Sequence, residues 1–528
     1  MTDARPLPPL PPPLPFVLAE RARELGERTL AVFDGETLTF AGLRDASCRL
    51  ATGLARAGLR QGDTLLVMIG NRPEILACLF AAAELGVLAV PANVALKGES
   101  LGHVLRTVRP QLAIVEACWL ERLGEVIGPA QAGMPIYVLD GAAGQRNYEE
   151  LLSTGNDVPA VPLGPGDPWL VLFTSGTTGV AKGVILPHQQ LASAAWDAAQ
   201  DFGMHADSVF YTFNPLFHLN GLVFGPLAAL VAGARTVVRR EFPRERTLAD
   251  VRASGATHWA PVPFVTRGLL AAPPRPDDAD NALQVVLTFG FTAAEAEIFQ
   301  RRFGCRLGTG YGTTEMGMIC RTQTERPTTS GRLSDRREMR IVDEEGLDVE
   351  PGEVGEILVR SRQPFESMLG YFAMPEATAA AFTDGWYRTG DLGRLDEDGY
   401  LHFADRAKDS LKRRGENIST FQVEQVLMLY PGVTAAAVVG YRPAAGAEEE
   451  VRAFLELEQP IAPEQFDFAA VIVHCGRHLA YFMVPRFIEL VPSLPRTALG
   501  KIEKHPLKKL PLGAAAFDAR AAGVHVPR

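Results

Sequence analysis

Thr174-Ser175-Gly176-Thr177-Thr178-Gly179-Val180-Ala181-Lys182-Gly183 sets three glycines, four hydroxyls and one lysine between two apolar runs. Glycines let backbone N–H groups turn toward an anion, hydroxyls donate to phosphate oxygens, and a lysine supplies a mobile point charge. The stretch therefore predicts a grip for a nucleotide triphosphate, with Thr174, Ser175, Gly176, Thr177, Thr178, Gly179 and Lys182 as its contacts. It is not a Walker A loop. That motif needs Ser or Thr after the lysine at the start of a helix, whereas here Gly183 follows and Val184-Ile185-Leu186-Pro187 predicts a strand. Without a ligand, the same residues would be a Gly/Thr-rich hairpin turn.

At 528 residues the chain is too long for one hydrophobic core, so at least two domains are expected. A net charge of -10, with no basic patch, argues against a nucleic-acid partner. Six cysteines, Cys48, Cys78, Cys118, Cys305, Cys320 and Cys475, form no CxxC pair, which suits reduced thiols in the cytoplasm and predicts no structural metal. Pro6 to Pro15 is a proline-rich arm, expected as polyproline II, without the basic-then-apolar pattern of a signal peptide. The longest apolar run, Gly221 to Ala234, contains Pro226 and is too short to span a bilayer, so no membrane partner is expected.

Along the chain, apolar residues at helical spacing in Leu43–Ala57 and Pro73–Leu85 flank a buried-strand run at Thr64–Ile69. The rhythm recurs at Gln111–Val115, Thr236–Val238 and Val285–Leu287, which predicts an α/β fold without a repeat of fixed period. From about Gly331 to Phe403 short strands replace helices, as at Met339–Val342, Glu356–Val359 and Tyr400–Phe403, predicting a small β subdomain. Beyond Asp405 a helix at Phe421–Leu429 and strands at Ala435–Val439 and Phe487–Val491 predict a separate α+β domain. Residues 513–528, rich in Ala and Gly, are expected to form a flexible tail.

Four more motifs follow the first in order: Tyr311-Gly312-Thr313-Thr314-Glu315; Tyr387-Arg388-Thr389-Gly390-Asp391; Asp405-Arg406 through Lys408 to Gly415-Glu416-Asn417-Ile418-Ser419; and Pro495-Arg496-Thr497-Ala498-Leu499-Gly500-Lys501. Together the five resemble the adenylate-forming superfamily of acyl-CoA synthetases, luciferases and peptide-synthetase adenylation domains. The likeness runs from about Leu38 to about Lys508, and is closest to acyl-CoA ligases of the crotonobetaine/carnitine-CoA ligase type through Arg413–Ser419 and Ala480–Arg486. It implies a large N-terminal body over 16–404, built from two α/β subdomains and a small β-barrel-like one (about 331–403). A mobile α+β C-terminal lid would follow over 405–512.

The resemblance also implies chemistry: ATP activates a carboxylic acid as an acyl-adenylate, pyrophosphate leaves, and the acyl group passes to the thiol of CoA. Lys501 then matches the lysine that brings carboxylate and α-phosphate together, Glu315 the Mg²⁺ ligand, and Thr314 an α-phosphate donor. Asp391 matches the acid on the ribose hydroxyls, Arg406 a second nucleotide contact, and Tyr311 and Gly312 belong to the same AMP site. Lys408 stands at the hinge position and Gly415 on the pantetheine path, although Arg414 replaces a second glycine found in many relatives. His218 matches a residue that gates the acyl pocket, for which Phe217, Trp259, Phe264 and Phe289 are the candidate walls.

Each has a plainer alternative: Glu315 as a first-turn helix carboxylate, His218 and the aromatics as core, Lys408 as a solvated charge. At Leu287-Thr288-Phe289-Gly290-Phe291-Thr292 many relatives carry Gly-Gly-Ala-Pro-Leu-Ser, and the added bulk predicts a shallow pocket for a short or flat acid. The expected partners are thus a small carboxylic acid or small oxyacid and CoA or another small acceptor, in a monomer or homodimer. The open alternatives are an amine acceptor, and nitrite as the adenylated oxyacid in a diazo-forming enzyme.

Overall fold

The computed structural model describes residues 7–524 except 142, 156–157, 175–180, 244–245, 407–410, 414–415, 444–448, 480, 482 and 497–501, with the backbone alone at 130, 264, 406, 412, 416 and 417. By packing, the chain divides into two compact units. The first is Met1–Met339, Val359–Tyr387 and Gly399–Leu401; the second is Arg340–Leu358, Arg388–Asp398 and His402–Arg528. The second unit therefore takes in two segments, 340–358 and 388–398, that the sequence reading assigned to the larger body.

Two eight-stranded sheets form the first unit. One runs Gly317–Gln323, Arg306–Thr313, Val285–Leu287, His258–Trp259, Val209–Thr212, Arg235–Val238, Thr29–Phe33 and Glu36–Thr39. Its interior pairs are parallel and its two edge pairs antiparallel. The other runs Gly370–Tyr371, Lys182–Pro187, Pro168–Thr174, Leu88–Pro91, Thr64–Met68, Leu112–Glu116, Ile136–Leu139 and Arg146–Asn147. Strands such as Thr64–Met68 and Leu112–Glu116 are buried throughout, because helices cover both faces of a parallel sheet and leave no solvated side to alternate toward. The α/β rhythm read from the sequence holds here, and helix Phe40–Arg56 is capped by Thr39, whose hydroxyl accepts from Gly42 N–H at 2.9 Å.

The proline-rich arm ends at Leu14, where a helix to Leu25 begins with Pro15 in its first turn. The arm lies on the first unit: carbonyls of Pro8 and Pro11 accept from Gln363 (2.9 Å) and Gln189 (3.4 Å). Residues 7–13 are in neither helix nor strand, so these carbonyls are open to side chains of the body. Between 331 and 403 the expected short strands are present as Arg337–Val342, Gly355–Ser361, Phe382–Thr383, Trp386–Leu395 and Leu401–Arg406. Among the described residues no helix is long and apolar enough to cross a membrane.

In the second unit a four-stranded sheet runs Val433–Tyr441, Glu450–Leu457, Phe487–Leu490, Phe517–Asp518, with helices Thr420–Met428 and Phe468–His478 packed on it. Its last strand corrects the expectation of a flexible tail from 513. Phe517–Asp518 pairs antiparallel with Phe487–Ile488, Arg486 binds Asp518 at 3.0 Å, and Ala519 is buried in the core. Alanine and glycine composition suggested fraying, but one aromatic and one carboxylate suffice to dock the segment. A His-x-x-x-His spacing, His474 and His478, stands on helix Phe468–His478, where His474 Nε2 is bonded to the Val426 carbonyl. No described cluster of three His, Cys, Asp or Glu could hold a metal.

Candidate active site

Within the Thr174–Gly183 stretch, Thr174 ends one strand and Lys182 opens the next: Pro168–Thr174 and Lys182–Pro187 pair antiparallel with Thr174 opposite Lys182. Ser175, Gly176, Thr177, Thr178 and Gly179 lie outside the described residues. At the returning end His103, from helix Gly98–Val108, is bonded through Nε2 to the Ala181 carbonyl at 2.8 Å and sets its ring edge-on to Phe173. Gly370–Tyr371 adds to the outer side of Lys182–Pro187, with Tyr371 opposite Val184. This pairing carries the Tyr371 ring under Lys182, whose Nζ stands 4.6 Å from the ring centroid.

Glu315 is reached from the other sheet. Strands Arg306–Thr313 and Gly317–Gln323 form a hairpin, and Glu315 sits in its turn rather than in the first turn of a helix, the plainer alternative considered for it. The turn is tight enough that a Cβ on Gly312 would lie 2.5 Å from the Gly317 carbonyl oxygen, so only glycine fits there. Buried groups fix it from behind. Gln190 Nε2 donates to the Thr314 carbonyl at 2.9 Å, Arg337 donates to the Met316 carbonyl through Nη2 (2.7 Å) and Nε (3.1 Å), and Met368 N–H donates to the Glu315 carbonyl at 2.7 Å. Burial lowers the Arg337 guanidinium to about 10, still charged at neutral pH, with Glu366 facing it.

Tyr371 joins the two hairpins: its hydroxyl donates to Glu315 Oε1 at 3.1 Å. Tyr387 bonds the Tyr371 hydroxyl, and burial together with the Glu315 charge pushes both phenols far above their ordinary range, so both stay protonated donors. Lys182, Glu315, Tyr311 and Gly312 are candidates named from the sequence, and the structure brings Lys182 and Glu315 together on Tyr371. Tyr371, Gln190, Arg337 and His103 are not among those candidates. Gly370–Tyr371 is a two-residue strand without periodicity of its own, and only its pairing reveals it.

His218 precedes the short helix Leu219–Leu222, which continues through a π-turn at Val223–Leu227 around Pro226. Its ring lies 4.9 Å from that of Phe217, its Nε2 is buried with no hydrogen-bond partner, and burial lowers its pKa to about 4. An orphaned buried nitrogen distinguishes His218 from a satisfied core histidine. A Cβ on Gly221 would meet the Pro215 and Asn214 carbonyl oxygens at 2.4 and 2.6 Å, so the chain before the helix packs directly on that glycine.

Trp259 is 1% exposed among Tyr211 and Phe213, inside the hydrophobic cluster below the sheet. The Phe264 side chain lies outside the described residues. In the bulky 287–292 stretch, Phe291 is spent on the core against Phe299 and Thr288 is bonded to Thr266, so of the two phenylalanines only Phe289, 37% exposed, faces outward.

In the second unit Asp391 is 2% exposed on strand Trp386–Leu395, its N–H bonded to Thr389 Oγ1 at 3.0 Å, and that hydroxyl donates to the Ile357 carbonyl at 2.8 Å. Arg406 closes strand Leu401–Arg406, its side chain outside the described residues, as are Lys408, Gly415 and Lys501.

Residues 18–372 match the AMP-binding enzyme family and residues 422–501 the AMP-binding enzyme C-terminal domain. The crotonobetaine/carnitine–CoA ligase of Salmonella paratyphi A is 31% identical over 514 residues, covering 92% of this chain and 97% of that protein. The o-succinylbenzoate–CoA synthetase of Bacillus subtilis, solved with its acyl-adenylate intermediate, gives a TM-score of 0.80 at 27% identity, covering 94% of this chain and 98% of the other. An anthranilate–CoA ligase solved with anthranoyl-AMP shares the fold, with a TM-score of 0.85 at 24% identity over 98% and 99% of the two chains. The fold and these likenesses together define an adenylate-forming enzyme of the acyl/aryl-CoA ligase kind. The chain belongs to the AMP-binding enzyme family.

Proposed function

We propose that this protein activates a small carboxylic acid with ATP, releases pyrophosphate, and passes the acyl group from the adenylate to the thiol of CoA. The observation that carries the reading is the meeting of Lys182 and Glu315 on Tyr371, which sets a cation shortly after Ser175–Gly179 in the chain beside a carboxylate on a hairpin turn. A carboxylate attacking the α-phosphorus brings two anions together, so the chain has to supply positive charge and orientation. Lys182 serves the β/γ end of the nucleotide, Thr314 the α-phosphate, Tyr311 and Gly312 the AMP moiety, Asp391 the ribose hydroxyls, and Arg406 a second nucleotide contact. Lys501 holds the two reacting anions, Lys408 is the hinge, and Gly415 leaves room for pantetheine.

Mg²⁺, when bound with ATP, screens phosphate charge, and it favours carboxylate oxygens. Glu315 fits that need, since the Tyr371 hydroxyl occupies one of about four lone-pair positions on its carboxylate. All three relatives described above are named as acid–CoA ligases or synthetases, which supports CoA as the acceptor. The acid is short or flat, bounded by Phe217, neutral His218 and Phe289. All six cysteines are free thiols, which supports residence in the reducing cytoplasm.

Pyrophosphate release from MgATP tests the reading, with a panel of short, branched and aryl acids plus nitrite, each with and without CoA, and products read by mass. A thioester is the expected product; turnover without CoA would move the second half-reaction to an amine. Lys501→Ala is expected to lower pyrophosphate release by at least about 100-fold while thiolysis of supplied acyl-adenylate persists. Unchanged release would remove Lys501 from the role.

A further inference from the structure

Strand Val433–Tyr441 is the edge of the second unit's four-stranded sheet and pairs with Glu450–Leu457 alone among the described strands. Alternate residues of this strand enter two different clusters. Ala436 and Val438 pack with Val423 and Leu427 of helix Thr420–Met428, whereas Ala435, Ala437 and Val439 pack with Leu494, Ile502 and Leu507. Helix Thr420–Met428 therefore covers one face of the edge strand and the segment from Ile502 to Leu507 covers the other.

One pair of side chains closes around the edge between them. Glu424 Oε1, from the helix, accepts the outward N–H of Val438 at 2.7 Å, and Lys504 Nζ, from the opposite face, stands 2.8 Å from the same oxygen. Lys504 also donates to Thr420 Oγ1 at 2.6 Å, and the Thr420 hydroxyl donates to Asp405 Oδ2 at 2.8 Å. Asp405 further accepts the N–H of Thr420 at 2.6 Å, so the strand that leads into the hinge caps the helix that holds Lys504. Burial pushes the Glu424 carboxyl up, and Lys504 opposes that shift, so the carboxylate depends on its lysine for its charge.

The segment so held is the one that follows Lys501. On either side of Lys501 in the chain, Arg496 and Ile502 form an antiparallel bridge, and Glu503 N–H donates to the Pro495 carbonyl at 2.8 Å. Lys504 is the next anchored residue after that bridge, three positions beyond Lys501. We infer that Glu424 and Lys504 are positioning residues for adenylation: their clasp over the edge strand ties the Ile502–Leu507 segment, which follows Lys501 directly in the chain, to the strand that ends at Arg406. The inference rests on the reading of Lys501 given above. A reacting cation misplaced by about 1 Å loses on the order of 100-fold in rate, which is the reason to fix the segment that follows it.

The test uses the full-length protein as Lys504→Met, Glu424→Gln, Lys504→Arg and Lys501→Ala, with the best acid of the panel. In Lys504→Met and Glu424→Gln, pyrophosphate release is expected to fall about 10- to 100-fold, with thioester formation from supplied acyl-adenylate and CoA retained. Amide exchange of Ile502–Leu507 should quicken while that of Glu450–Leu457 is unchanged. Lys504→Arg, which keeps the charge and the donors, should recover most of the release.

Near-wild-type release in Lys504→Met beside a dead Lys501→Ala would overturn the positioning role and leave Lys501 standing. Equal loss of both half-reactions, with faster exchange throughout the unit, would overturn it in favour of a purely structural pair. Unaffected release in Lys501→Ala would instead overturn the reading beneath it, and this inference with it.

Discussion

Tyr371 does two things with one ring. Its face holds the Lys182 ammonium and its hydroxyl orients Glu315, so it sets the distance between the cation and the carboxylate before any nucleotide arrives. Tyr371→Phe keeps the face and removes the bond. A hydrogen bond to a charged group contributes about 1.5 kcal/mol, so this variant should lose roughly tenfold in pyrophosphate release at low MgATP, with little change in thermal midpoint. Steady-state rates against MgATP check it, and an unchanged kcat/KM would show that Glu315 needs no such partner. His218 acts differently. With its pKa lowered to about 4 by burial, its ring is neutral at pH 7 and brings no charge to its surroundings.

The Thr314–Met316 turn shows how one element is held to a shape its own residues do not dictate. Arg337 satisfies the Met316 carbonyl and faces Glu366, which also takes Arg336 at 2.7 Å and Ser193 at 2.9 Å, all in the interior. Arg337→Met would leave the Met316 carbonyl unpaired and the Glu366 carboxylate short of one counter-charge, a loss of about 3 kcal/mol in chemical denaturation. The double variant with Glu366→Gln should cost less than the sum of the two, because it removes both charges of the pair. Strict additivity would mean the two side chains do not interact. Loss of adenylation is expected to accompany the single variant, since the turn that carries Glu315 is then free to move.

Across the whole molecule, burial of histidine is expected to shape the acid limb of stability. His188, stacked on Trp169 with neither ring nitrogen bonded, is lowered by burial to about 4, as His218 is. The unfolded chain takes up these protons near pH 6.5 and the folded one resists until about 4. The stability these histidines contribute is therefore full above 6.5 and is lost as pH falls toward 4, by on the order of 3 kcal/mol for each histidine. Asp201 runs the other way. Raised by burial to about 6, it binds its proton in the folded state first and regains stability as pH falls from 6. His188→Phe, which keeps an aromatic ring on Trp169, should lose fewer degrees of thermal midpoint between pH 7 and pH 5 than the parent. Parallel loss in the two proteins would assign the acid limb to other groups.

Local sequence alone determined a good deal here. The apolar run after the glycine, hydroxyl and lysine stretch predicted the strand that begins at Lys182, and the helical and buried-strand periods predicted the α/β layers and the strand-rich stretch before Asp405. These are properties of short windows, where backbone freedom and apolar spacing decide the outcome. What no window contains is the partner. That Glu315 occupies a hairpin turn, that Tyr371 pairs beside Lys182–Pro187 and reaches it, that Phe291 turns into the core while Phe289 faces out, and that Phe517–Asp518 docks a stretch composed like a tail all follow from contacts between remote segments. Such contacts are chosen by the packing of the finished sheets, because burial and hydrogen-bond satisfaction are settled over the whole molecule and not residue by residue.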